Sequence, residues 1–138
     1  MTTLGVMKRL VATIAIVLGL FGCGPSGGSL PLLTGDPLDG GCYLATASGR
    51  LVVDPSYGTA IIGSGGTVDD RRIVAWRPGY TARRSGSEVE VLDPQGRVVA
   101  TTGRSYLIPG GYVDPGEFGR PDLPTMVWWA CDDPEPLS

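Results

Sequence analysis

Along the 138-residue chain, apolar and polar positions alternate in short stretches, and turn residues interrupt them roughly every ten positions. A period of two places successive side chains on opposite faces of a strand. No window carries a helical period of adequate length. The clearest element is Ser87-Glu88-Val89-Glu90-Val91-Leu92, followed by Asp93-Pro94-Gln95-Gly96 and the returning run Arg97-Val98-Val99-Ala100-Thr101-Thr102. Asp, Pro and Gly at the first, second and fourth turn positions predict a type I hairpin turn, with Gly96 taking a left-handed bulge position. In that register Asp93 faces Arg97, Val91 faces Val99 and Val89 faces Thr101. Val89, Val91 and Val99 then share a buried face, and Glu88 and Glu90 a solvated one.

Further strands are expected at residues 42–46 (CYLAT) and 51–54 (LVVD), paired across a turn at 47–50. Others are expected at 57–62, 72–77 and 126–131, and at 105–108, where the strand that begins at Arg97 continues past a bend at Gly103. Trp128 and Trp129 are adjacent, so one is core and the other covers a loop, a second sheet or a partner. The fold class is all-β: a small five- to six-stranded barrel or a sandwich. Strand count and mid-strand glycines give it a resemblance to the OB-type barrel, which implies a face for oligosaccharides or oligonucleotides.

The N-terminus has a different pattern. Lys8 and Arg9 precede an apolar run at residues 10–20 (LVATIAIVLGL), and 13 residues up to Gly22 carry no charge. A membrane-spanning helix needs about 20, so the run predicts a cleaved signal. The ending Leu20-Phe21-Gly22-Cys23 resembles a bacterial lipoprotein signal, with Phe21 where a small or β-branched residue is usual. The resemblance implies removal of residues 1–22, lipid (palmitate among the acyl groups) on Cys23, and anchorage on the extracytoplasmic face of the cell membrane. Residues 24–41 (GPSGGSLPLLTGDPLDGG) are dense in Gly, Pro and Ser and read as a flexible tether reaching about 23 Å on average. The domain is then expected over residues 41–131, with an acidic tail at 132–138. With Cys23 lipidated, Cys42 and Cys131 remain, and in an oxidising compartment they have one pairing.

Composition narrows the chemistry. Past residue 22 there are 9 arginines, no lysine and 14 acidic residues, a balance that disfavours nucleic acid as a partner. The chain has no histidine, which removes histidine-based triads and zinc sites. No catalytic, cofactor or metal residue is assigned. A hydrolase using carboxylates alone would draw on Asp114, Glu117 and Asp122.

Five of the nine arginines fall in residues 71–84, interleaved with Trp76 and Tyr80. Arginine beside aromatic rings suits stacking and anion binding, so Arg72, Trp76, Arg77, Tyr80 and Arg83 are candidate ligand contacts. The bland alternative is that these arginines balance Asp69, Asp70, Glu88 and Glu90. Residues 109–124 (PGGYVDPGEFGRPDLP) form a stretch of the kind that often carries function. Tyr112, Phe118 and Arg120 are its candidate contacts, and Phe118 can equally plug an open barrel end. The Gly-rich run at 62–67 lacks the residues of a phosphate loop. Together these features predict a membrane-tethered binding or accessory module for a glycan, an anionic envelope polymer or a partner protein.

Overall fold

A computed structural model describes residues 29–37, 42, 45–63 and 70–138. The signal segment, Cys23, Asp69 and most of the Gly-rich run at 62–67 lie outside these residues. The regular secondary structure of the described residues is nearly all strand: β1 (Ser29–Leu30), β2 (Ala45–Asp54), β3 (Gly58–Gly63), β4 (Arg71–Ala75), β5 (Thr81–Ser85), β6 (Glu88–Leu92), β7 (Val98–Thr101), β8 (Ser105–Val113), β9 (Val127–Ala130) and β10 (Glu135–Pro136).

Five strands close into a barrel in the order β8-β2-β3-β4-β9, with β9 returning to β8. Every pairing is antiparallel except β4 with β9, where Val74 lies beside Trp128 and Ala75 beside Trp129. That ring, with one parallel closure, is OB-like in strand order. Closure leaves the barrel without open edges. Alternation fills the interior with Ala47, Leu51, Ile61, Val74, Trp76, Ile108, Trp128 and Ala130. Trp76 donates its indole N–H to Thr59 inside the barrel at 2.9 Å.

Between β4 and β8 the chain makes β5, β6 and β7, which β1 joins in a second sheet of order β1-β5-β6-β7. Its side chains Val91 and Ala100, with Tyr80 from the β4–β5 connection, join the barrel cluster. Strand β5 has no strong alternation (TARRS), and it forms because it pairs with β6 along five positions.

The expected hairpin is present with a shifted register. Val91 faces Ala100, and Leu92 faces Val98 across a bulge. The extra residue of the bulge is Val99 on β7, so Ala100 is buried opposite Val91 where Val99 was expected, and Val99 is half-buried. Two other expectations are corrected. Residues 47–50 are no turn: β2 runs straight through them, with Ala47, Gly49 and Leu51 inward. And β8 does not extend the Arg97 strand, because a turn at Gly103 (φ 87°) delivers it to the other sheet. Strand β8 runs on through Pro109, Gly110 and Gly111, so the long connection is residues 114–126. Gly110 is there because a Cβ would sit 1.9 Å from the Trp129 carbonyl oxygen on the neighbouring strand.

Residues 29–37 of the expected tether are part of the fold. Ser29 and Leu30 pair with β5. Leu33 donates its N–H to Tyr57 O and accepts from Trp76 N, and Gly35 N–H bonds Trp76 O, each at 2.9 Å. Leu33, Phe118 and Leu123 cover a second apolar cluster of Ile73, Ala75, Val113, Val127 and Trp129 on the outer wall. The C-terminal residues are also held: β10 pairs with β8, and Leu137 N–H bonds Ser105 O at 3.0 Å. Cys42 and Cys131 form a disulfide, their Cα atoms 5.4 Å apart, within the usual span.

Candidate functional site

Most of the arginines are already committed. Arg77 bonds Asp133 at 2.9 Å, Arg83 bonds Glu90 at 3.2 Å, Arg97 bonds Asp93 at 2.8 Å, and Arg120 bonds Asp122 at 2.9 Å. Arg71 is held at 2.8 Å by Asp54. Three of the five clustered arginines therefore balance acids. Two of the expected aromatics are unavailable: Trp76 is inside the barrel and Tyr80 is 8% exposed. Phe118 is buried as well, but on the outer wall, with its ring against Gly35.

Arg77 and Tyr80 do meet. The guanidinium lies 4.9 Å from the Tyr80 ring centroid and donates to its hydroxyl. That hydroxyl donates to Asp133 at 2.6 Å. Burial, helped by the Asp133 carboxylate and opposed by Arg77, pushes the Tyr80 phenol up to about 12. The three groups satisfy one another and latch the C-terminal segment to the β4–β5 connection. Nearby, burial pushes the Asp93 carboxyl up. The backbone N–H groups of Arg97 and Gln95 and the Arg97 guanidinium outweigh it and hold Asp93 below the usual carboxylate range. Asp54 follows the same logic, with burial overcome by the N–H groups of Tyr57 and Ser56 and by Arg71. These are structural carboxylates, since each already accepts several bonds.

Arg72 is different. Among the described residues it makes no ion pair, and its guanidinium lies 5.3 Å from the centroid of the Tyr112 ring. Tyr112 is 43% exposed. Its ring stands edge-on to Trp128, 5.2 Å between centroids at 87°. Trp128 is fixed from below by its indole N–H on Ile108 O at 3.2 Å. Met126 is exposed two residues before it. The ring order explains the meeting: β4 and β8 both flank β9, so Arg72 and Tyr112 reach the same barrel mouth. The result is an aromatic ledge on a rigid indole, with a cation beside it. Such a ledge can stack the apolar face of a sugar ring or an aliphatic group while the guanidinium holds an anion or hydroxyl.

The sequence singled out Arg72 and Tyr112 but did not pair them. Trp128 as their support was missed, although its adjacency to Trp129 already required opposite faces. Trp129 is buried on the outer wall, donating its indole N–H to Gly35 O at 3.0 Å. Of the acids proposed for hydrolysis, Asp122 is tied to Arg120, whose guanidinium holds it below the usual range. Asp114 and Glu117 are exposed. No protein-family model matches the chain, and neither does any curated protein or solved structure.

Proposed function

We propose that this chain is a cell-envelope lipoprotein, held at the extracytoplasmic face by lipid on Cys23, whose barrel is a binding module without catalytic chemistry. Its ligand is a glycan or anionic envelope polymer, taken on the Arg72–Tyr112 ledge. The observation that carries the binding half is the exposed Tyr112 ring braced on Trp128, beside an arginine with no carboxylate partner among the described residues. The Leu20-Phe21-Gly22-Cys23 sequence and the Cys42–Cys131 disulfide support an oxidising, extracytoplasmic setting. The ledge also suits a protein partner, since Tyr112 and Met126 are both large and exposed.

The test is calorimetric titration of the protein with a polyuronate oligosaccharide and with a neutral glucan of equal length. Losing the ring or the guanidinium removes about 1–3 kcal/mol of stacking or charge-assisted bonding. Tyr112→Ala and Arg72→Gln should therefore each weaken polyuronate binding about tenfold with the fold unchanged. Binding of the polyuronate that is unaffected by both substitutions overturns the assignment. Capture of an envelope protein that depends on Tyr112, with no glycan binding, favours the interaction reading instead.

A further inference from the structure

The outer wall of the barrel carries a second feature, on the sheet face opposite to the one that the paired Ile61 and Arg72 share. A hollow of about 330 Å³ opens between β2, β3, β8 and the C-terminal segment, lined by Ser48, Gly49, Arg50, Ile62, Gly63, Ser105 and Leu137. Cross-strand register builds it. Arg50 lies opposite both Ser105 and Ile62, and Leu137 bonds the far side of Ser105. Ser48 shares the outer face with Arg50, two positions along the strand. Gly49 faces Gly63 across the floor, and a Cβ on Gly49 would strike the Ile62 carbonyl oxygen at 2.1 Å.

Arg50 is the one charged side chain that lines it among the described residues. Arg50 is exposed and makes no ion pair among the described residues, whereas Arg71, beyond Ile62 on the same face, is held by Asp54. Glu135 stands beside Leu107, outside the lining, and Asp70 packs beside Gly63 without lining the hollow. Ser48 and Ser105 line the hollow together with Arg50, and Ile62 and Leu137 supply apolar walls. A guanidinium with hydroxyl donors suits a tetrahedral oxyanion, and the hollow's size leaves room for an organic group attached to it. We infer that this hollow is a binding site for a phosphate monoester or diester, separate from the Arg72–Tyr112 ledge.

The test is an amide chemical-shift titration of the full chain in neutral detergent. The probes are inorganic phosphate, glycerol 3-phosphate, and bicelles with and without phosphatidylglycerol. The amides of Ser48, Arg50, Gly63 and Ser105 should shift saturably. Arg50→Gln should weaken that response at least tenfold, and Leu137→Ala should weaken glycerol 3-phosphate more than inorganic phosphate. A response to the soluble esters assigns a soluble ligand. A response confined to phosphatidylglycerol bicelles assigns a lipid headgroup. Arg72→Gln should leave the titration unchanged, so failure of the ledge and failure of the hollow are separable. No saturable shift with any probe, or equal affinity in Arg50→Gln, overturns the site.

Discussion

Replacing Leu33 by alanine separates a structural strap from a tether. Leu33 is 4% exposed and packs with Ile73, Ala75, Phe118, Leu123 and Trp129. Its backbone is bonded to Tyr57 and Trp76 on either side, so the site cannot collapse freely around a smaller side chain. Burial of this degree puts the cost of Leu33→Ala at about 3 kcal/mol, within the range seen when buried leucines are truncated. For a domain of this size that corresponds to a fall in Tm of roughly 10–20 °C. The opposite side of the contact gives a second perturbation. Gly58 has φ 96°, and a Cβ there would lie 2.5 Å from the Pro31 carbonyl oxygen, so Gly58→Ala should also destabilise. Thermal and urea unfolding of the oxidised protein, followed by tryptophan fluorescence, is the assay. A residue in a solvated linker would cost nothing. A Leu33→Ala protein within about 0.5 kcal/mol of the parent, the range of ordinary surface changes, would refute the strap.

Other predictions follow from the same contacts. Tyr80 should ionise late: the folded state keeps its proton between about 10, the ordinary tyrosine value, and about 12. Its contribution to stability is therefore present below the lower value and lost as pH rises to the upper one. Absorbance at 295 nm should show one late-titrating tyrosine that Tyr80→Phe removes; full ionisation near the ordinary value would contradict this. Asp93 acts in the opposite direction, because its folded value is lowered. Its stabilisation is present above about 3.9, the unfolded value, and is lost as pH falls through the folded one. The drop in urea midpoint between neutral and acid pH should be smaller in Asp93→Asn than in the parent. Gly110→Ala should prevent barrel closure, because the added Cβ meets the Trp129 backbone; a native-like circular dichroism spectrum with unchanged Tm would contradict that.

Much of the barrel was legible because half-buried strands announce themselves by alternation. The Asp93-Pro94-Gln95-Gly96 turn and the inward Val89 and Val91 follow from local rules alone. The hairpin register did not, because the bulge is one extra residue, Val99, that the alternation of the returning run does not mark. The strap escaped notice because Gly, Pro and Ser dominate its surroundings; the overlooked signal was three leucines at positions 30, 32 and 33 in a segment taken for solvated linker. Candidate site residues fared according to how much tertiary information they needed. The Arg-rich run marked Arg72, but only the β4-β9-β8 order brings Tyr112 to it. Trp76 and Tyr80 read as exposed stackers, yet the interior claims both. The hollow around Arg50 depends on the C-terminal residues, read as an acidic tail, folding back beside β8.

The most direct measurement of the central claim is the intact mass of the protein purified from the membranes of the cells that make it, before and after reduction. The expected species is a chain starting at Cys23 that carries acyl mass and gains two hydrogens when the Cys42–Cys131 bridge is reduced. An unprocessed, unlipidated chain with free thiols would contradict the envelope setting on which the proposed function stands.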